Sequence, residues 1–303
     1  LSALLSQDTQ LLELPENRRL GFQILGLPGG APVFFCHGFP GSRLDARLFE
    51  EAARQLGVRL ISADRPGCGL SDFLPGRSIA DWAADVRTLA DHLRLDRFAV
   101  LGLSGGGPYA MATAIGLPDR ISRLGLVCPL GSLARPDTTG GMGSAQTAMI
   151  RLTRTVPGLA RWLNTWLTGP VMRRIPALAL GILSQSAPTS DRQVLADPDV
   201  RARLLASIRE AFRHGGRGPA WDLHLFTRDP GPDPARISSP TLLWHGEADT
   251  TVPVAFGHDH AARIPGCQAR FLPKEGHFSL PVHHGAEILR DLVADIPSTA
   301  RLR

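Results

Sequence analysis

The chain has 303 residues, 43% of them hydrophobic and 20% charged, with a mean hydropathy of −0.01. That balance excludes a disordered protein, a collagen-like fibre and a disulfide-stapled miniprotein, and the length is ample for a buried core. No run approaches the roughly 20 apolar residues that a membrane-spanning helix needs, and the formal charge of +5 is scattered among arginines without the basic stripe that nucleic acid selects.

Taken in chain order, Leu11–Leu14 and Leu20–Leu25, broken by Pro15-Glu16-Asn17-Arg18, predict an antiparallel hairpin at a sheet edge. Pro32–Cys36, Arg59–Ala63, Phe98–Leu103 and Leu124–Cys128 predict strands that are apolar on both faces, as do Thr241–Trp244 and Ala269–Leu272. Continuous rather than alternating hydrophobicity is what a parallel sheet covered by helices requires. Ser78, with Asp81 three residues on, predicts a capped helix start, and Ile79, Trp82, Val86, Leu89 and Leu93 keep to one face. A second helix is expected over Tyr109–Ile115.

From Gly131 to about Ser238 the alternation stops, and helical patterns run between breakers such as Pro157, Gly169-Pro170, Pro176 and Gly215-Gly216. The expected organisation is an α/β core of residues 1–130 and 239–303 with a helical lid, residues 131–238, inserted in it. The Met and Trp residues of that block are read as packing. The block is rich in arginine, including Arg151, Arg154, Arg161, Arg173 and Arg174. Its acids, Asp137, Asp191, Asp197, Asp199, Glu210, Asp222, Asp229 and Asp233, are expected mostly in turns.

The four cysteines, at positions 36, 68, 128 and 267, have no metal-ligand spacing. Cys36 and Cys128 sit in apolar runs, where a free thiol behaves as a small hydrophobe, so a reducing, cytoplasmic compartment is expected. The stretch Leu1–Gln10 lacks a basic n-region and meets Asp8 early, unlike a signal peptide, although a start at Leu leaves a trimmed leader open.

One motif carries chemistry. Gly102-x-Ser104-x-Gly106 lies between a predicted strand and a predicted helix, the setting of a nucleophile elbow. Small residues two positions either side let the chain turn sharply, and the helix N-terminus behind the serine favours developing negative charge. A serine hydroxyl needs a base, and the base an orienting acid. His277 and Asp249 follow the last two predicted strands, at the carboxyl edge where open α/β sheets bind ligands. Glu247 is a rival for the acid. The strand ending at Cys128 brings no carboxylate. For the oxyanion, the backbone N–H groups of Gly105 and Phe39 are expected to serve, the latter from the loop Cys36-His37-Gly38-Phe39-Pro40-Gly41. His37 and His245 are read as loop buttresses. His258, His260, His283 and His284 are read as surface residues, so no metal is expected.

Together, His37-Gly38-Phe39-Pro40-Gly41, Asp64-Arg65-Pro66-Gly67-Cys68-Gly69-Leu70-Ser71-Asp72, the serine elbow, Gly246-x-x-Asp249 and Gly276-His277 resemble the α/β-hydrolase superfamily. The resemblance implies an α/β fold with a mostly parallel eight-stranded sheet, a lid after the sixth strand, and a Ser104–Asp249–His277 triad. It also implies that the loop Asp64–Asp72 shapes the site wall and that Cys68 is structural. Within that superfamily the expected activity is hydrolysis of a small or medium carboxylic ester without a cofactor, on a small-molecule substrate. Ser104 in place of aspartate, and Tyr109 as the sole tyrosine, turn the reading away from epoxide hydrolases; the missing aspartate also turns it away from haloalkane dehalogenases. C–C bond hydrolases, prolyl iminopeptidases, and a cofactor-free lyase or perhydrolase stay open as alternatives on the same triad, and so does a non-catalytic receptor on this fold. Oligomeric state is not set by these residues.

Overall fold

Ala31–Cys36 and Phe98–Leu103 are buried at every position, and the pleat explains how. Successive side chains of a strand point to opposite faces. Val33 and Phe35 accordingly join Leu60, Leu101 and Trp244 on one side of the sheet. Phe34 and Cys36 join Ile61, Val100 and Leu124 on the other. A sheet apolar on both faces must be covered on both, and here it is.

The computed structural model describes residues 9–134 and 136–294; the Leu1–Asp8 part of the N-terminal stretch and positions 295–303 of the expected core lie outside the described residues. Strands β1 (Thr9–Leu14) and β2 (Arg18–Gly26) form the expected antiparallel hairpin. Then follow β3 (Ala31–Cys36), α1 (Glu50–Gln55), β4 (Val58–Ala63), α2 (Trp82–His92), β5 (Phe98–Leu103), α3 (Gly107–Gly116) and β6 (Ile121–Val127). Seven helices come next: α4 (Ser144–Thr155), α5 (Pro157–Leu163), α6 (Gly169–Arg174), α7 (Pro176–Leu183), α8 (Thr189–Ala196), α9 (Pro198–Ala211) and α10 (Arg217–Arg228). The chain closes with β7 (Thr241–Gly246), α11 (Val254–Arg263), β8 (Gln268–Leu272) and α12 (Ser279–Val293). The eight strands make one sheet in the order β1-β2-β4-β3-β5-β6-β7-β8. Its pairs are parallel from β4 to β8, whereas β2 runs antiparallel to β4. Among the described residues of 131–238 there is no strand.

Two boundaries differ from the sequence reading for local reasons. Strand β6 starts three residues early and stops before Cys128, whose φ of 45° breaks the extended backbone. The Asp81 carboxylate does accept the Ser78 N–H at 2.7 Å, but this closes a turn, and regular helix begins only at Trp82.

The acids of the inserted helices differ more. Asp191, Glu210 and Asp222 lie inside α8, α9 and α10 and are buried. A buried carboxylate must be paired, because losing its hydration costs several kcal/mol. Glu210 and Asp64 share the Arg43 guanidinium at 2.8 and 2.6 Å. Asp222 accepts from Arg65 Nε at 2.7 Å, from Tyr109 at 2.8 Å and from Arg77. Arg43 and Arg65 come from the core loops after β3 and β4, so these pairs fasten α9 and α10 to the sheet. Spacing alone does not reveal such partners, since they are more than 100 residues away along the chain.

Burial alone raises the Asp222 pKa, but Arg65 and Arg77 overcome it and hold the carboxyl at about 2. Its folded pKa lies below the unfolded value of about 4. The ion pairs therefore stabilise the fold above that pH, and their contribution is lost as pH falls toward 2. Asp222→Ala is expected to cost about 3–5 kcal/mol by urea unfolding at neutral pH, because two buried arginines lose their counter-charge.

Candidate active site

Three loops at the carboxyl edge of the sheet carry the predicted residues. Ser104 follows β5 with φ at +54°, a left-handed backbone that costs a non-glycine residue about 1–3 kcal/mol. The flanking glycines make the turn sterically feasible. A Cβ on Gly106 would lie 2.1 Å from the Cys36 carbonyl oxygen, and one on Gly102 would lie 2.7 Å from Ala110 Cβ. Only bare backbone lets α3 approach β3 this closely.

Asp249 follows β7. One of its oxygens accepts the N–H groups of Thr251 and Val252, each at 2.8 Å. The other lies 2.7 Å from His277 Nδ1, and His277 Nε2 lies 3.0 Å from Ser104 Oγ. The structure thus brings Ser104, His277 and Asp249 together, all buried. Glu247, the rival acid, is exposed. Burial opposes charge on both members of the pair, but each offsets this for the other. His277 is raised above the ordinary histidine value by Asp249, and Asp249 is held well below the carboxylate range by His277 and His245.

The Phe39 N–H is aimed by its own peptide group. The Gly38 carbonyl accepts from Arg65 Nη2 at 2.8 Å and lies 3.0 Å from His37 Nδ1. In a trans peptide the following N–H points the opposite way. Phe39 N lies 3.3 Å from where a Gly105 Cβ would stand, so the two expected donors are neighbours. Among the described residues no acceptor takes the Phe39 N–H. His37 has its pKa pushed well down by burial and by Arg65. Its Nε2 accepts the Arg65 N–H at 3.1 Å. His245 Nε2 lies 2.9 Å from the Val252 carbonyl. Both histidines tie loops together.

Several expectations are corrected here. No residue of Asp64–Asp72 lines the cavities at Ser104; Arg65 instead braces the loop before Phe39 from behind. His260 is buried, with Nε2 at 3.4 Å from the Leu130 carbonyl and its pKa lowered to about 4 by burial. His258, by contrast, is exposed as expected and stacks on Phe271 with ring centroids 3.9 Å apart. Cys128, Asp249 and His277 offer potential metal-ligand atoms within 4.8 Å of one another. Of these three, Asp249 and His277 are engaged with each other, and burial raises the Cys128 thiol pKa.

The role of Asp191, expected only as a turn acid, carries no signal in the sequence. From the first turn of α8 its carboxylate accepts the N–H groups of His277, Phe278 and Ser279 at 2.9, 2.9 and 2.8 Å. A Cβ on Gly276 would strike that carboxylate at 2.4 Å. One inserted helix therefore fixes the backbone that carries His277. No motif signals this, because an acid in a helical first turn is ordinary.

Above Ser104 lies a cavity of about 110 Å³. Its walls include Met149, Ile150, Met172, Leu223 and Phe226, with Gln146, Asn164, Thr168 and Thr251 as polar points, and no charged side chain.

This edge of the sheet brings together a strained serine, a buried histidine–carboxylate pair and an apolar chamber. Residues 31–283 match the family described as the alpha/beta hydrolase fold, and the chain belongs to that family. It is 28% identical over 83% of its length to the dihydrolipoyllysine-residue acetyltransferase component of the acetoin cleaving system of Cupriavidus necator, of which the match covers 60%. It is 24% identical over 82% of its length to an uncharacterized hydrolase of Bacillus subtilis, covering 85% of that protein. The fold also matches an esterase from Thermogutta terrifontis with a TM-score of 0.69 at 23% identity, covering 95% of this chain and 98% of that one.

Asp191→Ala is expected to leave three buried N–H groups without an acceptor, at about 1–3 kcal/mol each. Hydrogen exchange should then speed up most at residues 277–279, with the β5 amides unchanged.

Proposed function

We propose that the protein hydrolyses a small or medium carboxylic ester through an acyl-enzyme. The observation that carries this reading is the unbroken chain Ser104 Oγ, His277 Nε2, His277 Nδ1, Asp249 Oδ2, with contacts of 3.0 and 2.7 Å. His277 takes the Ser104 proton as Oγ attacks the ester carbonyl, and Asp249 steadies the resulting imidazolium. The N–H groups of Phe39 and Gly105 hold the oxyanion. Collapse of the tetrahedral intermediate breaks the C–O bond, and His277 returns the proton to the departing alkoxide. A water molecule, deprotonated by the same imidazole, then cleaves the acyl-serine and releases the acid. No step calls for a cofactor.

The uncharged cavity favours neutral, apolar acyl or alcohol groups. In the same proposal the helices of 131–238 act as the lid over this chamber. A cytoplasmic setting rests on Cys36, Cys68, Cys128 and Cys267, all free thiols. Among the described residues, no helix is long and apolar enough to cross a membrane.

Ser104→Ala is expected to reduce hydrolysis of p-nitrophenyl butyrate to background, at least about 1,000-fold, with unfolding unchanged; retained turnover removes Ser104 from the mechanism. The base must be neutral to act. Since His277 holds its proton more tightly than free imidazole, kcat/KM should decline on the acid side with a midpoint above the ordinary value of 6.5. A midpoint at or below that value would contradict the assigned pairing.

A further inference from the structure

The segment between Asp137 and Asp191 contains no acidic residue, yet it carries Arg151, Arg154, Arg161, Arg173 and Arg174. Among the described residues, the same segment holds most of the large apolar side chains left in water, including Leu159, Trp162, Trp166, Leu167, Ile175 and Leu178. Trp162 and Trp166, one helical turn apart, are 58% and 70% exposed. Beside them opens a surface cleft of about 460 Å³ lined by Pro170, Arg173, Arg174, Arg209 and Gly215, three guanidinium groups with no acid among its lining residues. Exposed apolar area of this kind is costly unless something covers it.

We propose that helices α5–α7, with the π-helical turn Asn164–Thr168 that joins α5 to α6, are a docking face for an anionic phospholipid surface. Tryptophan and leucine enter the boundary between headgroups and acyl chains, and flanking arginines meet the phosphates. The charge pattern selects this occupant over a second copy of the chain. Two such faces packed about a two-fold axis would set arginine clusters of like sign against each other, with no acid from the same segment to relieve them. The face also backs directly onto the chamber. Asn164, Thr168 and Met172 line the cavity above Ser104, while Trp162 and Trp166 of the same stretch face outward. An apolar ester dissolved in the membrane therefore has one helical layer to cross.

The docking claim does not depend on the chemistry at Ser104, and its test can be run on the Ser104→Ala protein. Co-sedimentation is measured with phosphatidylcholine vesicles, with and without phosphatidylglycerol, alongside tryptophan emission. Binding is expected on the anionic vesicles only, falling with added salt and accompanied by a blue shift. Arg173→Gln with Arg174→Gln should weaken it by about tenfold or more. Trp162→Ser with Trp166→Ser should abolish both binding and blue shift, while thermal unfolding of each variant matches the parent. No partition onto anionic vesicles overturns the proposal, as does equal, salt-independent binding to neutral ones. So does a dimer in light scattering that the tryptophan substitutions dissociate, because a second copy would then cover the face.

Discussion

A carboxylate taken out of water must find donors or cations, and that requirement organises the functional edge of this molecule. Asp249 meets it with two backbone N–H groups and the His277 imidazole. Asp191 meets it with three consecutive N–H groups, Asp222 with two arginines and a tyrosine hydroxyl, and Asp64 and Glu210 by sharing one arginine. Each solution joins segments far apart in the chain. Satisfying buried charge is therefore the same act as fixing the loops that carry Phe39, Ser104 and His277.

This division of labour separates six of the seven inserted helices, α5–α10, into two groups. Helices α8, α9 and α10 are bound to the core through Asp191, Glu210 and Asp222. Helices α5–α7 present arginine, tryptophan and leucine outward instead. Rigid anchorage beside the histidine and a lipid-compatible outer face are different demands, and different helices meet them. Arg65 links the two ends of the site, since it braces the Gly38 carbonyl and pairs with Asp222 of α10.

Much of this was legible in the sequence because its cause is local. Two-sided apolar runs gave the strands within a few residues, since burial on both faces leaves no room for alternation. The spacing of Gly102, Ser104 and Gly106 reports a steric limit that the close approach of α3 to Cys36 bears out. Asp249 and His277 could be picked out because strand ends on a parallel sheet share one edge. The rest depended on long-range pairing. Asp191 and Asp222 read as ordinary turn acids, and His260 as a surface histidine, until their surroundings are assembled. The loop Asp64–Asp72 carried the right motif but a different task, holding the loop before Phe39 from behind rather than facing the cavity.

Reaction with a fluorophosphonate, followed by peptide mass mapping, addresses the central claim most directly, because phosphonylation needs an activated serine beside a competent base. A single stoichiometric adduct at Ser104, strongly slowed by His277→Ala in a protein that still folds, is the predicted result. No adduct on the folded protein, or an adduct at another residue that leaves Ser104 unmodified, would contradict it.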